Sequence, residues 1–587
     1  MKNVADKDML MKIKFKDLLL IQILSSLSTF IGPFIDGIIV SDFLGSAHMA
    51  AFGIIAPVTI LVGAVANIFN AGSQNVAGKY MGQGKSDKLN GLMTGTVAWA
   101  TGVGVVIAVL VCVFCNPIVR LLGAEGETVK ICTDYITMYA PGIIPTILMP
   151  TFVGYLQLDN GGKTAVAASA AMTVTDIIFD LLAVLVFKNG MRGIGLATTI
   201  SYVLAVLILL THFLKKSSTL KFALKESQVN DVKKIIICGL PAATFLLCNA
   251  VRVSATNNII LDVSDLNSVA AFSIQNTFRP LTLAFTLGTG ITALLVCSVI
   301  SGEENRHSLR KELTYILKVG IIIAISLTAV ILICAKYPFA KMFCVGQPEE
   351  FTGLVAHVIR MFAISIPFSM LNIIFIYYYQ SMRKLLLSTL ITVAQNVLYY
   401  LLAAKILSVF MGVDGIWLGY IISELLTFLT ICIFTWIKCG HFPKSVHDFM
   451  LLPDSFGVDA DNRMTITVVK EDEAVKISEK ICEFCKNKGI DSRRSMAAGL
   501  CTEELAVISL QNSDASKAYV DIFLTYKNGD LNIRMMDNCR PLDKKILAGM
   551  AEEYDPAAHA GIRIIKGLAK DITYNVVLGM NAYSMVL

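Results

Sequence analysis

The stretch VTDIIFDLLAVLVFKNGMRGIGLATTISY, residues 174–202, determines how the rest of this chain is interpreted. Its first half is apolar enough to cross a membrane, yet it contains Asp176 and Asp180. Four residues apart on a helix, the two carboxylates share one face. A charge at bilayer depth costs about 3 kcal/mol, so such residues usually face a cavity and line an ion path.

Asp36 lies alone in another apolar run and strengthens this interpretation. The plainer alternative for Asp176 and Asp180 is a pair of aspartates at a helix end, near the membrane interface. Three buried acids, however, need a common polar interior. The sequence therefore predicts an acidic pocket inside a membrane protein.

Composition supports a membrane protein. Of the 587 residues, 55% are hydrophobic and only 16% are charged, whereas a soluble globular chain carries about 25% charged residues. The net charge of +6 is small for this length and does not indicate nucleic-acid binding. Fourteen scattered cysteines predict reduced thiols, with no disulfide framework and no metal site. The first apolar run is too long for a signal peptide and predicts an uncleaved span.

About twelve apolar segments are each near the twenty residues that a bilayer requires. They lie at about 18–40, 50–72, 91–114, 131–157, 164–187, 193–214, 235–261, 268–300, 313–335, 352–380, 385–410 and 413–437. Basic residues concentrate in alternate connections, such as 79–88 and 215–234. By the positive-inside rule, both termini of this multi-pass plasma-membrane protein are expected in the cytoplasm.

An internal repeat divides the spans into two sets of six. AAFGI at 50–54 returns as AAFSI at 270–274, and GIGLATTIS from Gly193 returns as GIWLGYIIS from Gly415. The offset of about 220 residues gives two lobes of the same orientation. This is the plan of a transporter, with a substrate site expected between the lobes.

The two lobes differ where the acids lie. The repeat sets Asn396 opposite Asp176 and Tyr400 opposite Asp180. The second lobe thus keeps polar side chains at these places but loses the titratable acids. Any ion site is therefore predicted in the first lobe.

Several segments, together with the aspartate stretch, carry a family resemblance: FIDGIIVSDFLGSAHMAAFGIIAP, NAGSQNVAGKYMGQGK, YLQLDNGGK and GLPAATF. Through them the membrane part, about residues 16–436, resembles the multidrug and toxic compound extrusion (MATE) family. The resemblance implies two six-helix lobes that alternate between inward and outward openings. It also implies export of amphipathic, often cationic compounds against inward flow of protons or sodium.

The resemblance assigns roles to four residues. In family members with a cation site in the first lobe, an aspartate of the first helix joins an Asn-x-x-x-Asp pair of the fifth. Asp36 and Asp180 match these aspartates, and Asp176 stands where the asparagine is usual. Because like charges repel, the extra carboxylate favours a proton over sodium if the site is dry. Thr198 aligns with the polar position that the family uses on the sixth helix.

A second branch of the family uses acids on the seventh and tenth helices. Asn249 and Asn372 align there, so that coupling mode is not expected. Arg252 and Arg279 also lie in spans of the second lobe. Two interpretations of these arginines stay open: pairing inside the lobe, or snorkelling to the interface.

Three glutamines, Gln22, Gln157 and Gln275, are predicted to line the substrate path. Hydrogen bonds between helices explain them equally well. In the predicted mechanism, protonation of the pocket acids removes their charge. The first lobe then repacks, and the equilibrium shifts between the two openings.

A soluble α/β domain follows the membrane part. The predicted organisation is an N-terminus at 1–17, a first lobe at 18–214, an inter-lobe loop at 215–234, a second lobe at 235–437, a linker at 438–463 and the soluble domain at 464–587. MTITVVK alternates like a strand, and YVDIFLTYKNGDLNIRMMDN predicts a hairpin turning at 528–529.

The order of these elements resembles the histidine-kinase-type ATPase sandwich, in particular anti-sigma-factor serine kinases. The resemblance makes Glu504 the acid that activates water or substrate, Asp537 of DNCRPLD the adenine contact, and Gly561 a remnant of the phosphate loop. Asn581 belongs to the terminal G-x-N pattern. Ile508 stands where the magnesium-binding asparagine is usual, which argues against kinase or ATPase activity. Binding of ATP or ADP without catalysis, and a domain without ligand, both stay open.

The predicted function is a cation-coupled antiporter, not an enzyme, that exports small organic compounds across the bilayer. Its soluble domain would sense a nucleotide or a cytoplasmic protein partner. The alternatives are a membrane-anchored regulator signalling through that domain, and a flippase for lipid-linked precursors. The acidic pocket favours the transporter, and the eroded nucleotide motifs weaken the regulator. Neither extra spans nor a strongly basic central cavity is evident, which weighs against the flippase.

Overall fold

The computed structural model describes residues 9–83, 85–215, 218, 220–223, 226, 228–264, 266–344, 348–453, 456–458, 460–474, 476–511, 513, 518–527, 529–540 and 571–586. In these ranges, twelve helical stretches are long and apolar enough to cross a membrane, from Lys14–Leu44 to Val413–Cys439. The predicted count of twelve is therefore confirmed.

Eight α-helices build the first lobe: α1 (Met9–Ile39), α2 (Ser46–Gly82), α3 (Ser86–Val113), α4 (Cys115–Leu121), α5 (Glu127–Tyr139), α6 (Ile143–Leu158), α7 (Gly162–Leu181) and α8 (Gly190–Phe213). Eight more build the second: α9 (Val229–Val263), α10 (Leu266–Gly302), α11 (Arg306–Cys334), α12 (Lys341–Phe343), α13 (Glu349–Ser381), α14 (Leu385–Val393), α15 (Tyr400–Met411) and α16 (Val413–Cys439). Within a lobe, wider π-helical turns join some of these helices into one span, such as Ala394–Tyr399 between α14 and α15.

Several helices extend beyond the predicted spans. Helix α9 begins at Val229, six residues before the predicted 235, and its first turn contains the buried Asp231. The Tyr80 hydroxyl and the Lys234 ammonium donate to this carboxylate at 2.8 and 2.7 Å. Hydropathy misses this turn because polar, mutually bonded residues continue the helix outside the apolar core.

The lobes meet along α2, α9 and α10. Gly72 and Gly239 let the backbones of α2 and α9 touch, because a Cβ at either would collide with a main-chain carbonyl of the other helix. The ends of α2 and α10 touch in the same way at Gly82 and Gly302. The two lobes are therefore closed against each other at this end of the membrane domain.

The remaining helices follow the membrane part: α17 (Val446–Met450), α18 (Glu471–Ala474), α19 (Ile477–Asn487) and α20 (Ser492–Gln511). The described part of this region contains five strands: β1 (Arg463–Val468), β2 (Val520–Lys527), β3 (Asp530–Asp537), β4 (Asp571–Val577) and β5 (Met580–Val586). They form one antiparallel sheet in the order β1-β2-β3-β5-β4. The elements from β1 onward are called the tail domain below.

The tail sheet has two apolar faces. Ile522 and Ile533 point into the core that α19 and α20 cover, whereas Phe523 and Met536 pack on the membrane-domain core. This alternation follows from the period of two along a strand. The predicted strand at 464 and the predicted hairpin are both confirmed, since Lys527 pairs with Asp530 across the two-residue turn.

Candidate functional site

The structure brings the three predicted acids together inside the first lobe. Asp36 lies on α1, and Asp176 and Asp180 lie on one face of α7; their exposed fractions are 6%, 3% and 0%. The Thr173 hydroxyl donates to the carbonyl of Ser28 at 2.7 Å and holds α7 against α1 at this level. The acids therefore share one buried pocket.

Direct contacts define the pocket. The carboxyl groups of Asp36 and Asp180 are direct neighbours. The Ser201 hydroxyl donates to Asp176 Oδ1 at 3.0 Å, and the Thr198 hydroxyl, one turn earlier on α8, donates to the Ile194 carbonyl at 3.1 Å. Sequence reasoning missed Ser201, although it follows Thr198 by three residues and therefore lies on the same face of α8.

The pocket holds negative charge without a protein counter-ion. Within the described ranges, no lysine, arginine or histidine lies within ion-pair distance of the three carboxylates. No described donor reaches Asp36 Oδ1 or either carboxylate oxygen of Asp180. Burying several unpaired carboxylates is very costly, so the pocket requires protons or another cation to be stable.

A pair of stacked tyrosines lies on α5, and one of them reaches the pocket. Tyr135 and Tyr139 on α5 are buried and stacked with ring centroids 5.7 Å apart, and Tyr135 lies close to Asp36 and Asp176. Sequence reasoning missed both residues because nothing local indicates that α5 packs on α8. The Tyr135 ring therefore lies beside the acids, and Tyr139 packs on it.

The three glutamines do not form one path. Gln157 Nε2 donates to Gln22 Oε1 at 2.6 Å and joins α6 to α1. Gln275 lies in the other lobe, where its Oε1 accepts from the Tyr420 hydroxyl at 3.2 Å. A hydrogen bond between helices therefore describes Gln22 and Gln157, and Gln275 belongs to a separate site.

The interior of the second lobe contains the two arginines. Arg252 on α9 and Arg279 on α10 are only 5% and 6% exposed, so neither snorkels. Both guanidinium groups donate to Asn249 Oδ1, from Arg252 at 2.8 Å and from Arg279 as well. The Arg252 guanidinium lies 5.4 and 5.6 Å from the ring centres of Tyr400 and Tyr420.

The second lobe also contains a carboxylate that sequence reasoning overlooked. Glu424 on α16 accepts from Asn372 Nδ2 at 2.7 Å and from Gln395 Nε2 at 2.8 Å, both at Oε2. The available signal was a single glutamate in the apolar run IISELLTF.

In the tail domain, Asp537 and Asn581 meet at the end of β3 and β5. Asn581 Nδ2 and the Cys539 amide donate to Asp537 Oδ1 at 2.6 and 2.8 Å. Burial raises the pKa of the Asp537 carboxyl. Glu504 lies on an exposed part of α20 and is not in this network, and Gly561 lies outside the described residues.

In the described ranges, twelve candidate spans form two lobes, and the first lobe contains a cluster of three buried acids without a basic partner; this is the plan of a polytopic secondary transporter rather than an enzyme. The model of the MatE family matches residues 22–182 and 241–404, which is more than half of the chain. The chain belongs to this family, whose members are secondary multidrug transporters.

Curated relatives agree with this assignment. Multidrug export protein MepA of Staphylococcus aureus (strain bovine RF122 / ET3-1) is 23% identical over 299 residues, covering 49% of this chain and 64% of the relative. The chain thus spans less than two thirds of that protein. MepA of Staphylococcus haemolyticus (strain JCSC1435) is 22% identical over 404 residues, covering 67% of this chain and 85% of the relative.

Solved structures share the fold. An outward-facing multidrug resistance MATE family transporter of the MOP superfamily superposes with a TM-score of 0.69 at 19% identity, covering 73% of this chain and 97% of that one. A MATE protein in complex with MaL6 gives 0.68 at 20% identity, with coverages of 72% and 94%. The predicted two-lobed MATE fold is confirmed.

Proposed function

We propose that this chain is a cation-coupled antiporter that exports amphipathic or cationic organic compounds by alternating access of its two lobes. The observation that carries the proposal is the cluster of Asp36, Asp176 and Asp180, buried without a basic partner among the described residues. Multidrug export by the MepA relatives supports the choice of substrate.

The cluster provides the coupling. Adding or removing one cation changes the charge buried between α1 and α7, and with it the free energy of their packing. Two carboxyl groups that face each other, as Asp36 and Asp180 do, are stable when they share a proton. This geometry supports protons rather than sodium as the coupling ion.

Helix α1 can respond to this charge. Pro33 lies inside α1, three residues before Asp36. A proline in a helix interior removes one main-chain hydrogen bond and favours a bend. Loss of charge at Asp36 would therefore act close to the position where α1 bends most easily.

The test is efflux from vesicles that contain the purified protein and a fluorescent dye, under an imposed proton or sodium gradient. Gradient-driven efflux is expected in the wild type and lost in Asp36→Asn and Asp180→Asn. The matched control is Asp134→Asn, which removes an acid that pairs with Arg192 at 3.1 Å elsewhere in the first lobe. Absence of gradient-driven efflux with either ion would favour a regulator or a lipid-linked precursor flippase instead.

We propose in addition that the tail domain regulates transport by holding the lobes together. Arg534 on β3 pairs with Glu303 at the end of α10 at 2.9 Å, and it donates to the Gly82 carbonyl at the end of α2 at 2.6 Å. The Lys527 ammonium forms a second ion pair between the tail domain and the segment after α10, 3.5 Å from Glu304 Oε2. One arginine therefore bridges both lobes where they close.

Separation of α2 and α10 must break the Arg534 bridge. The bridge therefore stabilises the conformation in which the two lobes are closed at this end. Arg534→Gln is expected to raise the rate of gradient-driven efflux about twofold to fivefold. Arg494→Gln, which changes an arginine of α20 on the opposite face of the sheet, is the control. An unchanged or lower rate in Arg534→Gln would contradict regulation by this contact.

The ligand proposed for the tail domain is ATP or ADP, at Asp537 and Asn581. Calorimetric titration of the full chain with each nucleotide tests it. Heat of binding that Asp537→Ala removes would support a nucleotide sensor. Absence of binding would leave a protein partner as the proposed signal.

A further inference from the structure

We propose that the interior of the second lobe is a subsite for an anionic group of the transported compound, a carboxylate or a phosphate. The subsite consists of Arg252, Arg279, Gln275 and the rings of Tyr400 and Tyr420. The proposal rests on the transport function proposed above and specifies its substrate: an amphipathic compound that carries a negative group.

Two positive charges converge inside the second lobe. Arg252 and Arg279 come from different helices, are more than nine-tenths buried, and share one amide oxygen of Asn249. Like charges in a medium of low dielectric constant repel strongly. Two helices therefore hold the guanidinium groups close together although the arrangement is costly.

The two guanidinium groups carry more positive charge than the nearby carboxylate balances. Among the described residues, neither Arg252 nor Arg279 lies within ion-pair distance of a carboxylate. Glu424 on the neighbouring α16 attracts both guanidinium groups from beyond ion-pair distance, and its Oε2 accepts from Asn372 and Gln395. With two cations and one anion, this interior has an excess positive charge that a bound anion would balance.

Two side-chain donors near these charges have no acceptor among the described residues. Arg252 Nε and Gln275 Nε2 are buried and meet no acceptor in the described part of the chain. A buried donor without an acceptor destabilises the structure. A carboxylate or phosphate oxygen would satisfy both, and the planar guanidinium group binds these anions in a bidentate manner.

The surroundings favour an organic anion. Tyr400 and Tyr420 are buried with ring centroids 4.8 Å apart, and both face Arg252. Aromatic faces provide apolar contact area beside a charged group. An amphipathic molecule could place its negative group on the arginines and its apolar part along these rings.

The test measures equilibrium binding of two dyes to the full chain in phosphatidylcholine nanodiscs, without any ion gradient. Anionic fluorescein and a cationic rhodamine ester share the xanthene ring system and differ mainly in charge. Fluorescein is expected to bind at least tenfold more tightly than the rhodamine ester. Arg252→Gln and Arg279→Gln should each reduce fluorescein affinity about tenfold and leave rhodamine affinity unchanged or higher.

Two further variants keep the result interpretable. Lys405→Gln removes an exposed cation of the same lobe, paired with Asp262 at 2.8 Å, and should change neither affinity. Arg279→Lys keeps the charge without the planar fork and should give an intermediate fluorescein affinity. Equal binding of both dyes by the wild type, or unchanged fluorescein binding in both glutamine variants, would overturn the proposal.

Two additional arms separate the sources of the anion and the two proposals. Displacement of fluorescein by added phosphatidylglycerol, lost in Arg252→Gln, would identify a lipid headgroup as the occupant; absence of displacement would identify a soluble organic anion. Asp36→Asn should retain fluorescein binding although gradient-driven efflux is lost. If fluorescein binding depends on the arginines but no coupled transport is found, only the proposed antiport is contradicted. If coupled transport is found but fluorescein binding does not depend on the arginines, only the proposed anion subsite is contradicted.

Discussion

The two lobes share one fold and one repeat, but their interiors carry opposite charge. In the first lobe, α1 and α7 enclose three carboxylates whose unsatisfied atoms are acceptors. In the second lobe, Arg252 packs on Tyr400, the residue that the repeat sets opposite Asp180, and the unsatisfied atoms of Arg252 and Gln275 are donors. A duplicated fold thus carries two different sites, because function depends on the side chains placed on it.

This contrast suggests a division of labour. An acidic pocket without a basic partner suits exchange of small cations, whereas a guanidinium pair beside aromatic rings suits recognition of an organic anion. In this account, the first lobe couples transport to the ion gradient and the second lobe contributes to substrate choice. The following variants test whether the charges, rather than the fold, set these roles.

The largest effect is expected from making the second lobe resemble the first. Tyr400→Asp places a carboxylate beside Arg252 and supplies the missing counter-ion from the protein itself. Fluorescein affinity in nanodiscs should fall at least tenfold, about 1.4 kcal/mol. The control Tyr400→Phe removes the hydroxyl without adding a charge and should weaken fluorescein binding less. An equal loss of affinity in the two variants would argue against the added charge as the cause.

A smaller effect is expected from restoring the usual family residue in the first lobe. Asp176→Asn removes one of three repelling carboxylates, so the pocket holds protons less readily. Proton-driven efflux should fall about fivefold, and the ratio of sodium-driven to proton-driven efflux should rise. Efflux rates under the two gradients, with Asp134→Asn as the control, measure this ratio. A ratio that does not change would show that Asp176 does not influence ion choice.

The smallest effect concerns a single hydrogen bond in the acidic pocket. Ser201→Ala removes the hydroxyl that donates to Asp176 Oδ1 at 3.0 Å. A lost hydrogen bond of about 0.5 kcal/mol corresponds to roughly a twofold shift in the proton concentration at half-maximal efflux. Ser201→Thr retains the hydroxyl and should behave as the wild type. A shift of the same size in both variants would show that altered packing, not the lost hydrogen bond, causes it.

Sequence reasoning worked where a local pattern has only one structural solution. Long apolar runs must be helices in a bilayer, so the spans followed from hydropathy. The four-residue spacing of Asp176 and Asp180 implied a common face, and the alternating segments around 528–529 implied a hairpin. In each case the periodicity of one element was sufficient.

The sequence patterns did not predict contacts between distant parts of the chain. The bridge from Arg534 to Glu303 and Gly82 joins residues more than two hundred positions apart, and no motif marks it. The arginine pair likewise arises only when α9 and α10 pack with a common amide, Asn249, between them. Such sites depend on helix rotation and side-chain direction, which spacing along the chain does not specify.

The most direct test of the central claim records dye efflux and internal pH together in vesicles that contain the wild-type protein. Antiport through the acidic pocket predicts that the interior acidifies in step with dye efflux when the outside is made acidic. The acidification should be absent in Asp180→Asn. Dye efflux without proton or sodium entry, or acidification that persists in Asp180→Asn, would contradict coupling through the first lobe.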